Sequence, residues 1–298
     1  MDHIFNAFTV DVEDYYMVSA FADVVRFEDW HNYKSRVQDN TCRILDLMYE
    51  YRVRGTFFVL GWVAERNASL IRQIQASGHE IASHGYRHRL VYDMTPEQFR
   101  EDIRLSKSIL EDITGSPVLG FRAASYTIVQ KTLWALEVLA EEGFRYDSSI
   151  FPIHHDRYGL PGANRFPHVI GTKSGSLHEF PPSTFSLFGL NIPVCGGGYL
   201  RVLPESLIKA AIRRINKHEL QPAITYIHPW ETDVGQPRLN GRLRSRIRHY
   251  LNLESTMPKI TALLSEFRFK PLSHMLDGLE PLQPQTLLSH EKCRQYYG

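Results

Sequence analysis

Cysteine is scarce: Cys42, Cys195 and Cys293 are the only three in 298 residues. They show no metal-ligand spacing, and an odd number leaves one unpaired. A disulfide scaffold is therefore not expected, and the usage fits a reducing compartment. No apolar run approaches the ~20 residues needed to span a bilayer. The start, MDHIFNAFTVDVEDYY, lacks the basic residues and long apolar core of a signal peptide. A cytoplasmic location with no transmembrane segment is the expectation. Neither sign of charge dominates, with 34 basic residues against 33 acidic ones and a net charge of +1. That balance gives no reason to expect nucleic acid or an anionic membrane surface as partner. There is no internal repeat and no low-complexity linker. There is also no phosphate loop: the Gly196–Tyr199 run (GGGY) lacks GxGxxG spacing and follows no recognisable strand, so it reads as a flexible turn near substrate. The length admits one large domain or two small ones and leaves the oligomeric state open.

Short apolar runs alternate with amphipathic segments. Strands are expected at Phe5–Val12, Gly55–Leu60, Glu80–Ser83, Gly120–Arg122, Phe144–Asp147 and Ala223–His228. Helices are expected at Asn40–Tyr51, Ala68–Ser77, Thr95–Thr114, Lys131–Glu142 and Glu205–Lys217. The Thr-Pro-Glu start and Gly115 stop of the third helix are particularly clear. This alternation predicts a parallel α/β architecture in which residues at strand C-terminal ends share one mouth. Asp11, Arg122, Asp147 and His228 sit at such ends. Residues 152–200, rich in Gly, Pro and His, break the pattern and read as an insertion bordering that mouth. The expected organisation is a single catalytic domain over 1–272 and a loosely attached tail over 273–298.

The segment GHEIASHGYRH places His84 and His88 four residues apart. In a helical turn that spacing brings two imidazoles onto one face. Two histidines and one carboxylate make a facial metal site with open positions for water and substrate. Carboxylates are at hand in TVDVEDYY, where Asp11, Glu13 and Asp14 cluster at a strand end; a divalent cation would relieve their repulsion, although a solvated acidic turn has the same pattern. Arg122 is expected to pair with Asp11 or Asp147, in a purely structural ion pair if nothing else. His228 ends an apolar strand that Pro229 stops. Tyr126, Phe151, Tyr199 and Trp230 could stack on sugar rings or serve as plain core.

Taken together, TVDVEDYY, His84-Gly85-Tyr86-Arg87-His88, Arg122-Ala123-Ala124, Tyr146-Asp147-Ser148-Ser149 and Tyr226-Ile227-His228-Pro229 resemble, in order, the motifs of the polysaccharide deacetylases, the NodB-like carbohydrate esterase family 4. Ala124 stands where the third motif has proline. More narrowly, SRVQDNT, TFFVLGWVAER, YDSSIFPIHHDRYGLP, EFPPST, GGGYLR and HPWETDVGQPR resemble the subgroup encoded in exosortase-linked exopolysaccharide loci. The resemblance runs from about Phe5 to Lys270. It implies a distorted (β/α) barrel of the polysaccharide deacetylase type and a divalent metal, usually zinc, on His84 and His88. It implies Asp11 as general base, His228 as general acid and Arg122 as the residue that orients Asp11. Val12 occupies the place of the family's usual aspartate ligand, so the third ligand falls to Glu13, which strand alternation favours, or to Asp14. Tyr126, Tyr199 and Trp230 are the substrate-binding candidates. The implied reaction removes N-acetyl groups from an N-acetylhexosamine-containing glycan in exopolysaccharide biosynthesis. Two alternatives stand beside it: an allantoinase-like amidohydrolase acting on a small cyclic amide, and a catalytically silent carbohydrate-binding protein.

Overall fold

The computed structural model describes residues 4–278. In chain order the elements are β1 (Ala7–Val12), α1 (Val37–Glu50), β2 (Thr56–Val59), α2 (Gly61–Arg66), α3 (Ala68–Ala76), β3 (Glu80–Ser83), α4 (Pro96–Thr114), β4 (Gly120–Phe121), α5 (Trp134–Glu141) and β5 (Tyr146–Asp147). They continue with β6 (His168–Thr172), β7 (Gly175–Glu179), β8 (Thr184–Leu187), β9 (Leu190–Pro193), α6 (Gly197–Val202), α7 (Glu205–Lys217), β10 (Ile224–Ile227), α8 (Leu243–Tyr250) and α9 (Thr256–Glu266).

The main sheet has eight strands in the order β10-β1-β2-β3-β4-β5-β7-β6. Pairing is parallel from β10 to β7, and β6 closes the far edge antiparallel to β7. The sheet curls into an open half-barrel. No ladder joins β7 to β10; irregular chain bridges the gap, with Ser183 N donating to Ile224 O at 3.1 Å and Tyr226 N to Cys195 O at 3.0 Å. The expected α/β barrel is thus present in a distorted, incompletely hydrogen-bonded form. Central strands such as β1 and β2 are buried along their whole length, as a sheet covered on both faces requires.

Local chemistry explains the best-defined helix. In α4, Thr95 accepts from Gln98 N while the Gln98 side chain accepts from Thr95 N, and Gly115 ends the helix at φ +63°. This capping box and left-handed stop satisfy backbone groups that a helix end leaves free.

Two segments differ from expectation. Within 152–200, β6 and β7 form a hairpin that extends the main sheet, and β8 and β9 form a separate two-stranded ribbon. The few apolar side chains that β6 and β7 contribute, such as Ile170 and Leu177, are enough to bury one face. The tail is expected to be loose from 273. Yet Leu272, Met275 and Leu276 are buried against Ala7, Phe58, Tyr146 and Phe180 inside the half-barrel. Leu272 N donates to Thr56 Oγ1 and Ser273 N to Glu80 Oε2, so this stretch plugs the end where β2 and β3 begin. Residues 279–298, with the rest of the expected tail and Cys293, lie outside the described residues.

Candidate metal centre and catalytic cavity

Parallel register carries the chemistry to one end of the sheet. Asp11 lies beside Phe58, Ser83 beside Phe121, and Asp147 beside Glu179. His84 and His228 directly follow β3 and β10. Glu13, His84 and His88 each offer one ligand atom, and the three atoms lie within 4.8 Å of one another. His88 Nε2 is 3.0 Å from Glu13 Oε2.

The His84–His88 segment is not a helical turn, contrary to the expectation from spacing. It is a loop, with Gly85 at φ +75° and His88 at φ +55°. A side chain on Gly85 would also meet Asp102 Oδ2 at 2.8 Å, so that loop needs glycine. Tyr86 N donates to the same Asp102 carboxylate at 2.8 Å, which holds the loop against α4. The imidazole centroids still converge, 5.4 Å apart.

The donor set fits a divalent cation. The 2.7 Å contact from His84 Nδ1 to the Arg122 carbonyl makes Nδ1 the protonated nitrogen and leaves the Nε2 lone pair free. Burial lowers the His84 pKa to about 4, so the ring is neutral near pH 7, as a ligand must be. Burial pushes the Glu13 carboxyl up, but His88, His228 and His84 outweigh it and hold the group well below the usual carboxylate range. Trp230 Nε1 donates to Glu13 Oε1 at 3.0 Å and orients the carboxylate.

Asp14, the other candidate ligand, is elsewhere. Its Oδ2 accepts from Ser35 Oγ at 2.8 Å, Arg36 N at 2.7 Å and Val37 N at 3.1 Å. It lies past the end of β1, and a carboxylate at the start of α1 satisfies helix N–H groups and meets the positive end of the dipole.

Arg122 is fully buried. Its Nη1 donates to Asp11 Oδ1 at 2.6 Å and to Thr9 Oγ1 at 2.8 Å, while Nε and Nη2 donate to Ser148 O and Oγ. Of its two expected partners it takes Asp11. Asp147 instead accepts from Ser149 Oγ at 2.5 Å and faces Glu179. The Arg122 fork leaves Asp11 Oδ2 directed at His228, whose Nε2 is 3.8 Å away and also 3.6 Å from Glu13 Oε1. Behind the ring, Nδ1 lies 3.3 Å from Glu231 Oε1. Burial disfavours the imidazolium, yet Glu13, Glu231 and Asp11 outweigh it and raise the His228 pKa to about 9. His228 thus holds a proton at neutral pH, beside a carboxylate free to accept one.

A cavity of about 500 Å³ joins these groups; Tyr126, Tyr199 and Trp230 all line it. Their parts differ. Tyr199 is half-buried at the rim. Tyr126 is wall, packed edge-on to Phe151 and Tyr226. Trp230 lines the cavity from a packed position. It stacks on His249 at 4.0 Å and His228 at 5.2 Å, and its ring N–H is committed to Glu13. The GGGY run is not a turn: Gly197–Tyr199 open α6. Any side chain at Gly196 would overlap the Tyr226 ring at 2.1 Å, so the glycines let this backbone lie on the cavity wall. Two functional candidates escaped the sequence reading. Glu231 is buried three residues after His228; a carboxylate just past the His-Pro turn was the available signal. Arg201, whose Nε is 3.5 Å from Glu231 Oε1, gave none.

Residues 24–146 match the polysaccharide deacetylase family, and residues 148–277 match a domain of unknown function, DUF3473. A peptidoglycan deacetylase from Helicobacter pylori is 31% identical over 114 residues, covering 38% of this chain and 37% of that protein. The chain spans well under two thirds of the length of this and the other curated relatives it matches. Among solved structures, a polysaccharide deacetylase candidate from Mycobacterium smegmatis superposes with a TM-score of 0.60 at 23% identity, covering 95% of this chain and 93% of that one. Puue allantoinase superposes with a TM-score of 0.56 at 20% identity, covering 94% and 91%. The site draws on both matched regions: His84 and His88 come from the first, His228 and Glu231 from the second. The half-barrel is the fold of the structures it superposes on, and residues 24–146, which carry His84 and His88 of the Glu13–His84–His88 cluster, match the polysaccharide deacetylase family.

Proposed function

We propose that the protein is a metal-dependent hydrolase that removes N-acetyl groups from an N-acetylhexosamine-containing polysaccharide or its precursor. The observation that carries this reading is the placement of Asp11 Oδ2 and His228 Nε2, 3.8 Å apart, beside the ligand cluster in one cavity. A binding protein needs no base, acid and metal ligands together.

Glu13, His84 and His88 would hold the cation, with zinc the proposed metal for a donor set of two imidazoles and a carboxylate. When bound, it polarises the acetyl carbonyl and lowers the pKa of water. Asp11 takes a proton from the attacking water through Oδ2, while Arg122 keeps its other oxygen engaged. Water adds to the acetyl carbon, the C–N bond breaks, and the amine nitrogen leaves with the His228 proton. Acetate and a free amino sugar result. Tyr199 is the proposed sugar contact at the rim. The residues up to 272 act as one catalytic unit, because the proposed acid comes from one matched region, His84 and His88 from the other, and Glu13 from the strand end that precedes both.

The exopolysaccharide-locus kinship is part of the same proposal and rests on the segments quoted from the sequence. The allantoinase-like alternative shares the fold, but a cavity of about 500 Å³ suits a hexosamine unit better than a small cyclic amide. Acetate release from defined N-acetylated oligosaccharides, compared with ureide hydrolysis, tests the choice. Turnover of the ureide without acetate release would reverse it.

A further inference from the structure

The nearly neutral net charge conceals a segregated patch. Residues 234–253 contain five arginines, at 238, 242, 244, 246 and 248, and no acidic residue. Helix α8 lies within this stretch. Its inner side is fixed: His249 stacks on Trp230, and His249 Nε2 is 2.7 Å from Gln236 Oε1. The buried Arg201 donates to the carbonyls of Arg248, His249 and Leu251, tying down the end of the helix.

Its outer side is unusual for a surface helix. Leu243, Ile247 and Leu251, at i, i+4 and i+8, form one apolar stripe and are 70%, 54% and 44% exposed. Arg246 flanks the stripe on one side, with Arg244 and Arg248 on the other. No carboxylate pairs with these three arginines among the described residues. The stripe continues into the catalytic cavity: Ile247, Arg248, Leu251 and the exposed Val202 line it together with Asp11 and His84.

An apolar stripe between rows of arginine is the pattern of a helix that lies in a lipid headgroup layer. We propose that the outer face of α8 docks the protein peripherally on an anionic lipid surface, with the cavity mouth turned toward that surface. Charge complementarity selects this occupant. A second copy of the chain packing α8 on α8 would oppose arginine to arginine. A nucleic acid or a soluble anionic glycan would match the arginines and leave the leucines and isoleucine in water. No helix among the described residues is long and apolar enough to cross a membrane, so the contact is peripheral. The docking needs no turnover, so it stands or falls separately from the deacetylase reading.

The test is co-sedimentation of the full chain with vesicles of phosphatidylcholine containing 30% phosphatidylglycerol, against vesicles of phosphatidylcholine alone. Binding is expected to the anionic vesicles and to weaken as salt screens the arginines. Arg244→Gln with Arg246→Gln should lower partitioning by about fivefold for each arginine. Leu243→Ser should lower it roughly tenfold. None of these three residues lines the cavity, so melting temperature and activity on a short soluble substrate should stay unchanged. Equal binding to both vesicle types, or no binding by the wild type, overturns the proposal. So does full retention of binding by both variants. Binding to soluble polygalacturonate that responds to the arginine variant alone would assign the patch to a glycan. A dimer in solution that Leu243→Ser dissolves, without vesicle binding, would assign it to a second copy.

Discussion

His228 Nδ1 lies 3.3 Å from Glu231 Oε1, on the side of the ring opposite Asp11 and Glu13. Glu231 is fully buried, so its charge acts on His228 with little solvent screening. In Glu231→Gln the His228 pKa should fall from its raised position. A cation at Glu13 acts in the same direction, so the loaded enzyme titrates below about 9. Loss of the acid's proton sets the alkaline limb of kcat. The variant should therefore show that limb displaced to lower pH, with kcat reduced about tenfold or more at pH 8. A pH–rate profile checks this, and an alkaline limb that does not move would remove Glu231 from the acid's support.

If His228 protonates the departing amine, its importance depends on the leaving group. His228→Ala should cost on the order of 10²–10⁴-fold in kcat on an N-acetylated sugar. On an aryl acetate, whose phenolate leaves unaided, the loss should be much smaller. Metal content should stay near wild type. Equal losses on both substrates would make His228 something other than the acid.

Adjacent carboxylates should separate cleanly. Glu13→Gln, like His84→Ala, is expected to lower metal occupancy measured by elemental analysis. Asp14→Asn should leave occupancy intact and lower stability by about 0.5–2 kcal/mol, the usual scale for losing a helix N-terminal acceptor. Metal loss in Asp14→Asn with a normal melting temperature would exchange the two roles.

Asp147 and Glu179 are a buried carboxyl pair on neighbouring strands β5 and β7. Burial raises Asp147 to about 6, and burial together with Asp147 raises Glu179 well above its ordinary value. Both folded-state pKa values lie above those of the unfolded chain, so the folded state binds more protons. The associated stability is complete below about pH 4 and is lost as pH rises through 6 and beyond. Glu179→Gln keeps an oxygen for the Ile150 N–H, which now donates to Oε1 at 3.0 Å, and removes the repulsion. Thermal melts should show the variant gaining on the wild type between pH 5 and pH 8. A difference independent of pH would mean the pair does not titrate.

Legibility in the sequence followed local signals. Glu80–Ser83 and Glu205–Lys217 were expected with the bounds they have, because apolar runs and helical spacing are stated within each segment. The β6–β7 hairpin was not, since much of its sequence is polar and its place beside β5 depends on long-range pairing. His84 and His88 were legible as a pair, yet their convergence comes from left-handed residues in a loop rather than helical spacing. Asp11, Arg122 and His228 stood out as polar residues at strand ends. Trp230 is legible as a neighbour of His228, but nothing in its neighbourhood announces His249, nineteen residues on, as its second stacking partner. The α8 stripe was invisible in the net charge, which averages the arginine run against acidic residues elsewhere.

Metal-dependent deacetylation is tested by acetate release from a defined N-acetylhexosamine oligosaccharide, using the full chain stripped by chelator and then reloaded. Acetate and free amine are expected in equal amounts, lost on stripping and restored by one equivalent of zinc. Acetate release that survives stripping, or no release from any N-acetylated glycan by the fully loaded protein, would contradict it.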